Sequence, residues 1–288
     1  MLGPLDRLLG RQTPSHGALA VVTGAGSGIG AAFAIELARR GGKVVCSDID
    51  EVAAQRTADA IQERGCGAVA VRCDVSQVDD VHALADQAQE WFGVPPTLVI
   101  NNAGVGTGGE PIGDVPLDEW VRTLGVNLWG PIHGCHVFTP ILRESGPSGS
   151  PKGIINVASA AAFGAAPGMA AYNVSKAGVL SLSETLAAEL SGTGIKVTVL
   201  CPTFVKTNIV ESGLQAGRIS EESSQLATKL MRWTGFSAAK VARMCLDAND
   251  RGDLYCMPQL EAKIGWNVKR LAPGAYTRAI GLVSRTRH

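Results

Sequence analysis

Short, nearly continuous apolar runs alternate along the chain with segments whose apolar positions recur at helical spacing. The runs fall at 19–23, 44–47, 68–73, 98–101, 154–158 and 197–201, each bounded by turn residues. Such continuity predicts strands buried on both faces of a parallel sheet. Helical spacing holds over 31–40, 52–64, 78–92, 117–142 and 171–190. Gly41-Gly42 stops the first helix, Asp50 stands where an N-cap belongs, and the segment from 78 follows Ser76. Alternating strands and helices imply right-handed crossovers and an α/β, doubly wound sheet. After Cys201 the rhythm changes: 203–236 predicts a loop with a mobile helical piece, 238–250 a helix and 253–257 a last strand. Beyond Pro258, Leu260, Ile264, Val268 and Leu271 mark a weak amphipathic helix. The polar break at 145–152 predicts a surface loop, and neither a repeat nor an interdomain linker interrupts the pattern.

Composition narrows the function classes. The 288 residues are 45% hydrophobic and 18% charged, enough apolar material for one large core. Lys+Arg and Asp+Glu are both 26, so no global basic field attracts nucleic acid. The seven cysteines form no CxxC pair and no metal-ligand spacing, which predicts reduced core thiols in a cytoplasmic protein. Asp6 and Arg7 interrupt the apolar start, so no secretory signal is expected. Residues 153–175 carry no charge, yet Asn156, Ser159, Pro167 and Asn173 lie among them. A buried strand and a site loop are expected there, not a membrane span.

Chemistry concentrates at strand ends. Thr23-Gly-Ala-Gly-Ser-Gly-Ile-Gly30 follows the first strand and opens the first helix. There, glycines let the backbone turn and approach a pyrophosphate at the helix N-terminus. Asp48 ends the second strand, where a carboxylate accepts from ribose hydroxyls and repels a 2′-phosphate; the bland alternative is a turn or cap residue. Ser27 leaves the loop without a cation to welcome that phosphate, so NAD is expected over NADP. Asp74 and Asn101-Asn-Ala-Gly104 follow the third and fourth strands, at the edge where ligands bind in such sheets.

Tyr172 and Lys176 stand four apart on one helix, hence on one face. An ammonium beside a phenol favours the phenolate, so a lowered Tyr172 pKa is expected. Ser159 follows the fifth strand, where a hydroxyl can serve a shared substrate oxygen or simply cap a turn. Asn127 puts an amide inside an apolar helical run, unusual unless its hydrogen bonds are satisfied. His82, His133 and His136 lack a third ligand, so no metal is expected, and Trp120 and Trp129 read as core or interface aromatics.

In this order and spacing, the glycine motif, Asp74, NNAG, Asn127, Ser159 and the Tyr–Lys pair resemble the short-chain dehydrogenase/reductase family. The TGxxxGxG pattern is similar to its single-domain oxidoreductase branch. The resemblance covers roughly residues 18–257 and implies a seven-stranded Rossmann sheet. It divides the chain into an N-terminal extension (1–17), a Rossmann domain (18–258, with a substrate loop at about 203–236) and a basic C-terminal extension (259–288).

Site roles follow from the resemblance too. It implies that Tyr172 exchanges the proton with substrate, Ser159 stabilises the substrate oxygen, Lys176 holds the nicotinamide ribose, and Asn127 anchors a water linking Lys176 to solvent. Gly24, Ser27, Gly28, Ile29 and Gly30 would form the phosphate turn, and Asp48 would read the ribose. Asp74 and Val75 would meet the adenine, Asn102, Ala103 and Gly104 would line the cofactor, and Pro202, Val205 and Thr207 would pack by the nicotinamide. Where the family usually has Pro-Gly, this chain has Pro202-Thr203, and a β-branched residue resists glycine-only dihedrals.

Val105, Ala161, Phe163, Met169 and Phe204, with Met231 and Trp233 beyond them, would wall the substrate. These apolar walls predict a small lipophilic alcohol or ketone of alicyclic, steroid-like or terpenoid type. A non-catalytic dinucleotide-binding regulatory protein is the alternative, which Tyr172 and Lys176 oppose; an epimerase or lyase is opposed by the glycine spacing. The family commonly forms homodimers and homotetramers through the helices carrying Asn127 and Tyr172. After Glu261 there is no acidic residue but six Lys/Arg. That tail suits weak contact with an anionic membrane surface, or a solvated or subunit-packing role.

Overall fold

A computed structural model describes residues 13–144, 151–205 and 236–285. Thr207, Met231, Trp233 and most of the expected substrate loop lie outside the described residues. Strands β1 (Leu19–Thr23), β2 (Lys43–Asp48), β3 (Ala68–Arg72), β4 (Leu98–Asn101), β5 (Lys152–Val157), β6 (Ile195–Leu200) and β7 (Tyr255–Cys256) form one sheet. Their order is β3-β2-β1-β4-β5-β6-β7, and each neighbouring pair is parallel. This is the doubly wound sheet expected from the alternating runs, with the seven strands of the Rossmann sheet that the resemblance implies.

The period of two along each strand explains the two layers. Ala20, Val22, Val44, Cys46, Leu98 and Ile100 point to one face, against Phe33 and Leu37 of α1 (Gly28–Arg39), Ile61 of α2 (Glu51–Gln62) and Val241 and Leu246 of α8 (Ala238–Arg251). Val21, Val45, Val99 and Ile154 point to the other. There they meet Val81 and Leu84 of α3 (Val78–Phe92), Phe138 and Leu142 of α5 (Gly130–Glu144) and Leu186 of α7 (Ala170–Glu189). Both sets of strand residues have no solvent exposure. At about 25 cal/mol per Å² of apolar surface buried, these two layers dominate the folding free energy.

Asp50 caps α2 by accepting from the Ala53 N–H, as its position predicts. The apolar segment 117–142 is not one regular helix. It is α4 (Leu117–Leu124), a π-helical turn (Gly125–Trp129) and α5, so the wide turn falls on Asn127. The short α6 (Ala161–Gly164) precedes α7, and α9 (Leu260–Leu271) and α10 (Pro273–Arg285) follow β7.

Residues just before β1 are tied to α8. The Ser15 N–H and hydroxyl both donate to Asp250, which Arg40 also reaches at 3.3 Å. All seven cysteines are free, and six are buried. Burial alone pushes Cys46 up to about 12, and with smaller effects from neighbouring groups it leaves Cys73, Cys135 and Cys201 at about 12 as well, so these thiols stay protonated. No described helix is long and apolar enough to cross a membrane.

Candidate active site

Sheet order reverses beside β1, which pairs with β2 on one side and β4 on the other. A crevice opens at the carboxyl ends of strands at such a point. The glycine loop sits there. Gly24 and Gly28 have φ of 65° and 57°, left-handed values that side chains resist. A Cβ on Gly30 would come within 2.0 Å of the Gly24 carbonyl oxygen, so the loop closes only with hydrogen at that position. Ser27 is the N-cap of α1, but its side chain makes no capping bond and the first turn carries no acid. The α1 N-terminus therefore keeps its partial positive charge for an anion.

Asp48 stands beside this loop. Its Oδ2 accepts from the Gly26 N–H at 2.9 Å and its Oδ1 from the Asp50 N–H at 3.1 Å. The carboxylate thus shapes the loop as well as lining the crevice. Asn102 donates its side-chain amide to the Thr23 and Gly24 carbonyls, at 2.9 and 3.2 Å. The Asn102 and Ala103 N–H groups share Thr23 Oγ1, at 3.0 and 3.1 Å. Asp74 Oδ1 accepts from the N–H and hydroxyl of Ser76, a turn of its own. The Val75 side chain is in the core, against Gly130, and its carbonyl accepts from His133. Whatever Val75 offers a ligand comes from its main chain.

Beyond β5 the proton-carrying groups gather. Tyr172 and Lys176 project from one face of α7, with Lys176 Nζ 5.7 Å from the Tyr172 ring centroid. The ammonium donates to the Val157 carbonyl at 3.0 Å, and Lys176 is only 3% exposed. Burial takes its pKa from 10.5 down to about 8. Burial also raises the Tyr172 phenol above its usual 10.0, while a hydrogen bond with the Ser159 side chain pulls the other way. The expected lowering of the Tyr172 pKa by the ammonium is therefore corrected: Nζ is directed at Val157, burial sets the direction of the phenol's shift, and what opposes it is Ser159.

Ser159 has two roles at once. Its Oγ accepts from the Ala161 N–H at 3.1 Å, opening α6, and it also reaches Tyr172. Asn127, fully buried on the π-helical turn, spends both ends of its carboxamide on Val105: Oδ1 accepts from the N–H at 2.7 Å and Nδ2 donates to the carbonyl at 2.9 Å. These two bonds fix the loop after β4 to the π-helical turn. A Cβ on Gly104 would lie 3.2 Å from Asn127 Oδ1 and 3.5 Å from Lys176 Nζ, so these two groups face the same glycine.

The expected substrate walls divide. Val105, Ala161 and Met169 are half-buried, and Phe204 is 38% exposed. The Gly109 N–H donates to the Gly168 carbonyl at 2.8 Å, bringing the segment that follows Val105 to the one that carries Met169. Phe163 differs from the expectation: its side chain is buried in an apolar cluster with Ala158 and Val179 under α9, the ring edge-on to Trp266 at 5.2 Å. The Val205 side chain likewise packs in the core beside Val241.

Thr203 does not take a glycine-like conformation; Ala165 (φ 52°) is the non-glycine residue with positive φ among those described. Its segment is held from the far end of the chain. The Thr203 N–H donates to Gln259 Oε1 at 3.2 Å, its hydroxyl to Glu261 Oε1 at 2.8 Å, and Gln259 Nε2 to the Phe204 carbonyl at 3.5 Å. Pro202 accepts from the Ala160 N–H at 2.8 Å, joining this segment to the Ser159 turn.

The short chain dehydrogenase family model matches residues 18–218. The chain belongs to this family. As a short-chain dehydrogenase/reductase it is 42% identical to 1-deoxy-11-beta-hydroxypentalenate dehydrogenase of Streptomyces exfoliatus over 246 residues, 85% of this chain and 84% of that protein. It is also 42% identical to the probable oxidoreductase EphD of Mycobacterium tuberculosis over 205 residues, 71% of this chain but 34% of that longer protein. A short-chain dehydrogenase/reductase from Burkholderia phymatum, crystallised with NAD, superposes with a TM-score of 0.80 at 34% identity, covering 89% of this chain and 94% of that one.

The residues of this short-chain dehydrogenase/reductase fit a dinucleotide. Its cradle would be blocked by a Cβ at Gly24 or Gly30, and its helix N-terminus is uncapped by side chains. Sequence reasoning missed Thr23, Gln259 and Glu261. Thr23 carried a faint signal, a hydroxyl at a strand end beside the glycines. The other two carried none, lying 56 and 58 residues from their partner.

Proposed function

We propose that this short-chain dehydrogenase/reductase is NAD(H)-dependent and moves a hydride between nicotinamide and a secondary alcohol or ketone of lipophilic character. One observation carries it: the Tyr172 phenol is hydrogen-bonded to the Ser159 side chain, while Lys176, on the same face of α7, reaches Gly104 beyond the carboxyl end of β4. When bound, the dinucleotide supplies the hydride acceptor or donor. The chain's own residues do the rest. In the oxidative direction the Tyr172 oxygen takes the hydroxyl proton; in the reductive direction it returns a proton to the carbonyl oxygen. Ser159 steadies that oxygen by hydrogen bonding. Lys176, buried and charged below about pH 8, favours the phenolate once a ligand draws the groups together. Asn127 holds Val105, and so the wall that excludes water.

Asp48 supports NAD over NADP, since a carboxylate at the end of β2 repels a 2′-phosphate and no cation lies in residues 24–30. The apolar walls around Val105, Met169 and Phe204 support a lipophilic substrate, and the hydroxypentalenate in the name of the Streptomyces exfoliatus relative supports an alcohol. Leu117, Val121 and Trp129, exposed on the run that carries Asn127, support a homo-oligomer.

The test is a panel of apolar alcohols and ketones followed by NADH absorbance, run on the wild type and on Tyr172→Phe. Turnover should fall by roughly 10²–10⁴ in the variant while NADH affinity stays within a few-fold. Retained turnover would reject Tyr172 as the acid/base. Tighter binding of NADPH than of NADH would reject the role given to Asp48.

A further inference from the structure

Helix α9 turns its apolar stripe away from the protein. At 3.6 residues per turn, Leu260, Ile264, Val268 and Leu271 fall within about 80° of one another. All four are exposed, at 69, 55, 44 and 86%. The opposite face does the packing: Ala262 is buried, and Trp266 meets the rings of Phe163 and Tyr255 at 5.2 and 5.4 Å. Lys263 and Arg270 flank the stripe and are exposed, the Arg270 guanidinium lying 5.0 Å from the Trp266 ring centroid. Glu261, the acid on this helix, sits on the other flank, where it accepts the Thr203 hydroxyl. Past it the chain carries Lys263, Lys269, Arg270, Arg278, Arg285 and Arg287 and no acid.

We propose that α9 docks on an anionic lipid surface, its four apolar side chains entering the headgroup boundary while Lys263 and Arg270 reach lipid phosphates. Long basic side chains at the rim of an apolar stripe can extend to such phosphates while their stems stay among apolar groups. A second copy of the chain suits the stripe less well. Antiparallel pairing of this face with itself about a two-fold axis would set the flank of Lys263 and Arg270 against its own copy, with no acid on that flank to neutralise it. Because α9 covers Phe163 and holds Thr203, docking also brings the crevice walls close to the lipid. That consequence rests on the lipophilic substrate proposed above; the docking itself does not.

Sedimentation of the full chain with phosphatidylcholine vesicles, with and without a minor fraction of phosphatidylglycerol, tests the proposal. Partition should be at least about tenfold stronger on the anionic vesicles and should weaken as salt is raised. Ile264→Ser/Val268→Ser/Leu271→Ser and, separately, Lys263→Glu/Arg270→Glu should each lose about tenfold or more of that partition, with NADH affinity and molar mass in solution unchanged. No partition by the wild type, equal partition on both vesicles, or equal partition by either variant would overturn it. So would a fall in molar mass of the triple serine variant by light scattering, which would make the stripe a subunit contact. Partition is read without turnover, so failure of the alcohol and ketone screen and failure of docking are separate results.

Discussion

The glycine loop and the segment after β6 face the same crevice, yet they are held in opposite ways. The loop is shaped by missing side chains, with Gly24, Gly28 and Gly30 letting backbone meet backbone, and is tied by Thr23, Asp48 and Asn102 from neighbouring strand ends. The Thr203 segment has no glycine and is held by side chains: Gln259 and Glu261 reach it from beyond β7. One region is rigid by local geometry. The other depends on the C-terminal helix being in place.

Changing each kind of restraint sharpens that contrast. The largest effect is expected for Gly30→Ala, whose methyl would collide with the Gly24 carbonyl. NADH affinity, titrated by fluorescence, should fall by about 100-fold or more, an overpacking cost of roughly 3 kcal/mol placed on the loop itself. Affinity near the wild-type value would show that the loop adapts.

Lys176 lies between the two regions, near Gly104 on one side and Cys201 on the other. Its pKa falls from 10.5 to about 8 on folding, so between those values the unfolded chain binds the proton and the folded chain does not. The burial cost is complete below about pH 8 and is relieved as pH rises towards 10.5. Relative to Lys176→Met, wild-type stability in urea should therefore rise with pH across that window, by up to about 3 kcal/mol. A flat difference would mean the ammonium is solvated.

Gln259→Ala should act on the second region, leaving the Thr203 N–H without its partner. KM for NADH is expected to rise by about tenfold with a smaller change in kcat, since one unsatisfied buried group costs about 1–3 kcal/mol. Gln259→Glu, which keeps the acceptor, should recover most of it. Equal losses in both variants would make Gln259 a packing residue. The smallest effect is expected for Thr203→Val, which removes only the exposed hydroxyl bond to Glu261. Stability should drop by about 0.5–1.5 kcal/mol.

Most of the scaffold was legible because its determinants are periodic and local. Six of the strands and the long helices coincide with the apolar runs within a few residues, and Asp50 is the predicted cap. The glycine turn was legible because only one residue type permits it. The π-helical turn at Asn127 was not, since the apolar pattern of 117–142 continues through it. Nor was the raised phenol at Tyr172. Four-residue spacing puts Lys176 on the same face, but burial and the Ser159 side chain, which set the direction of the phenol's shift, come from other elements. Phe163 looked like a substrate wall because the chain does not say which side of α6 is covered by Trp266.

The sequence by itself determined the alternating strands and helices, the phosphate turn and the order of the Tyr, Lys, Ser and Asn groups, all consequences of spacing along one chain. Tertiary structure alone decided where Asn127 and Lys176 spend their hydrogen bonds, how Thr203 replaces a glycine, and which way α9 shows its apolar stripe. Each of these turns on a contact between residues far apart in sequence, and desolvation and partner choice exist only once those residues are brought together.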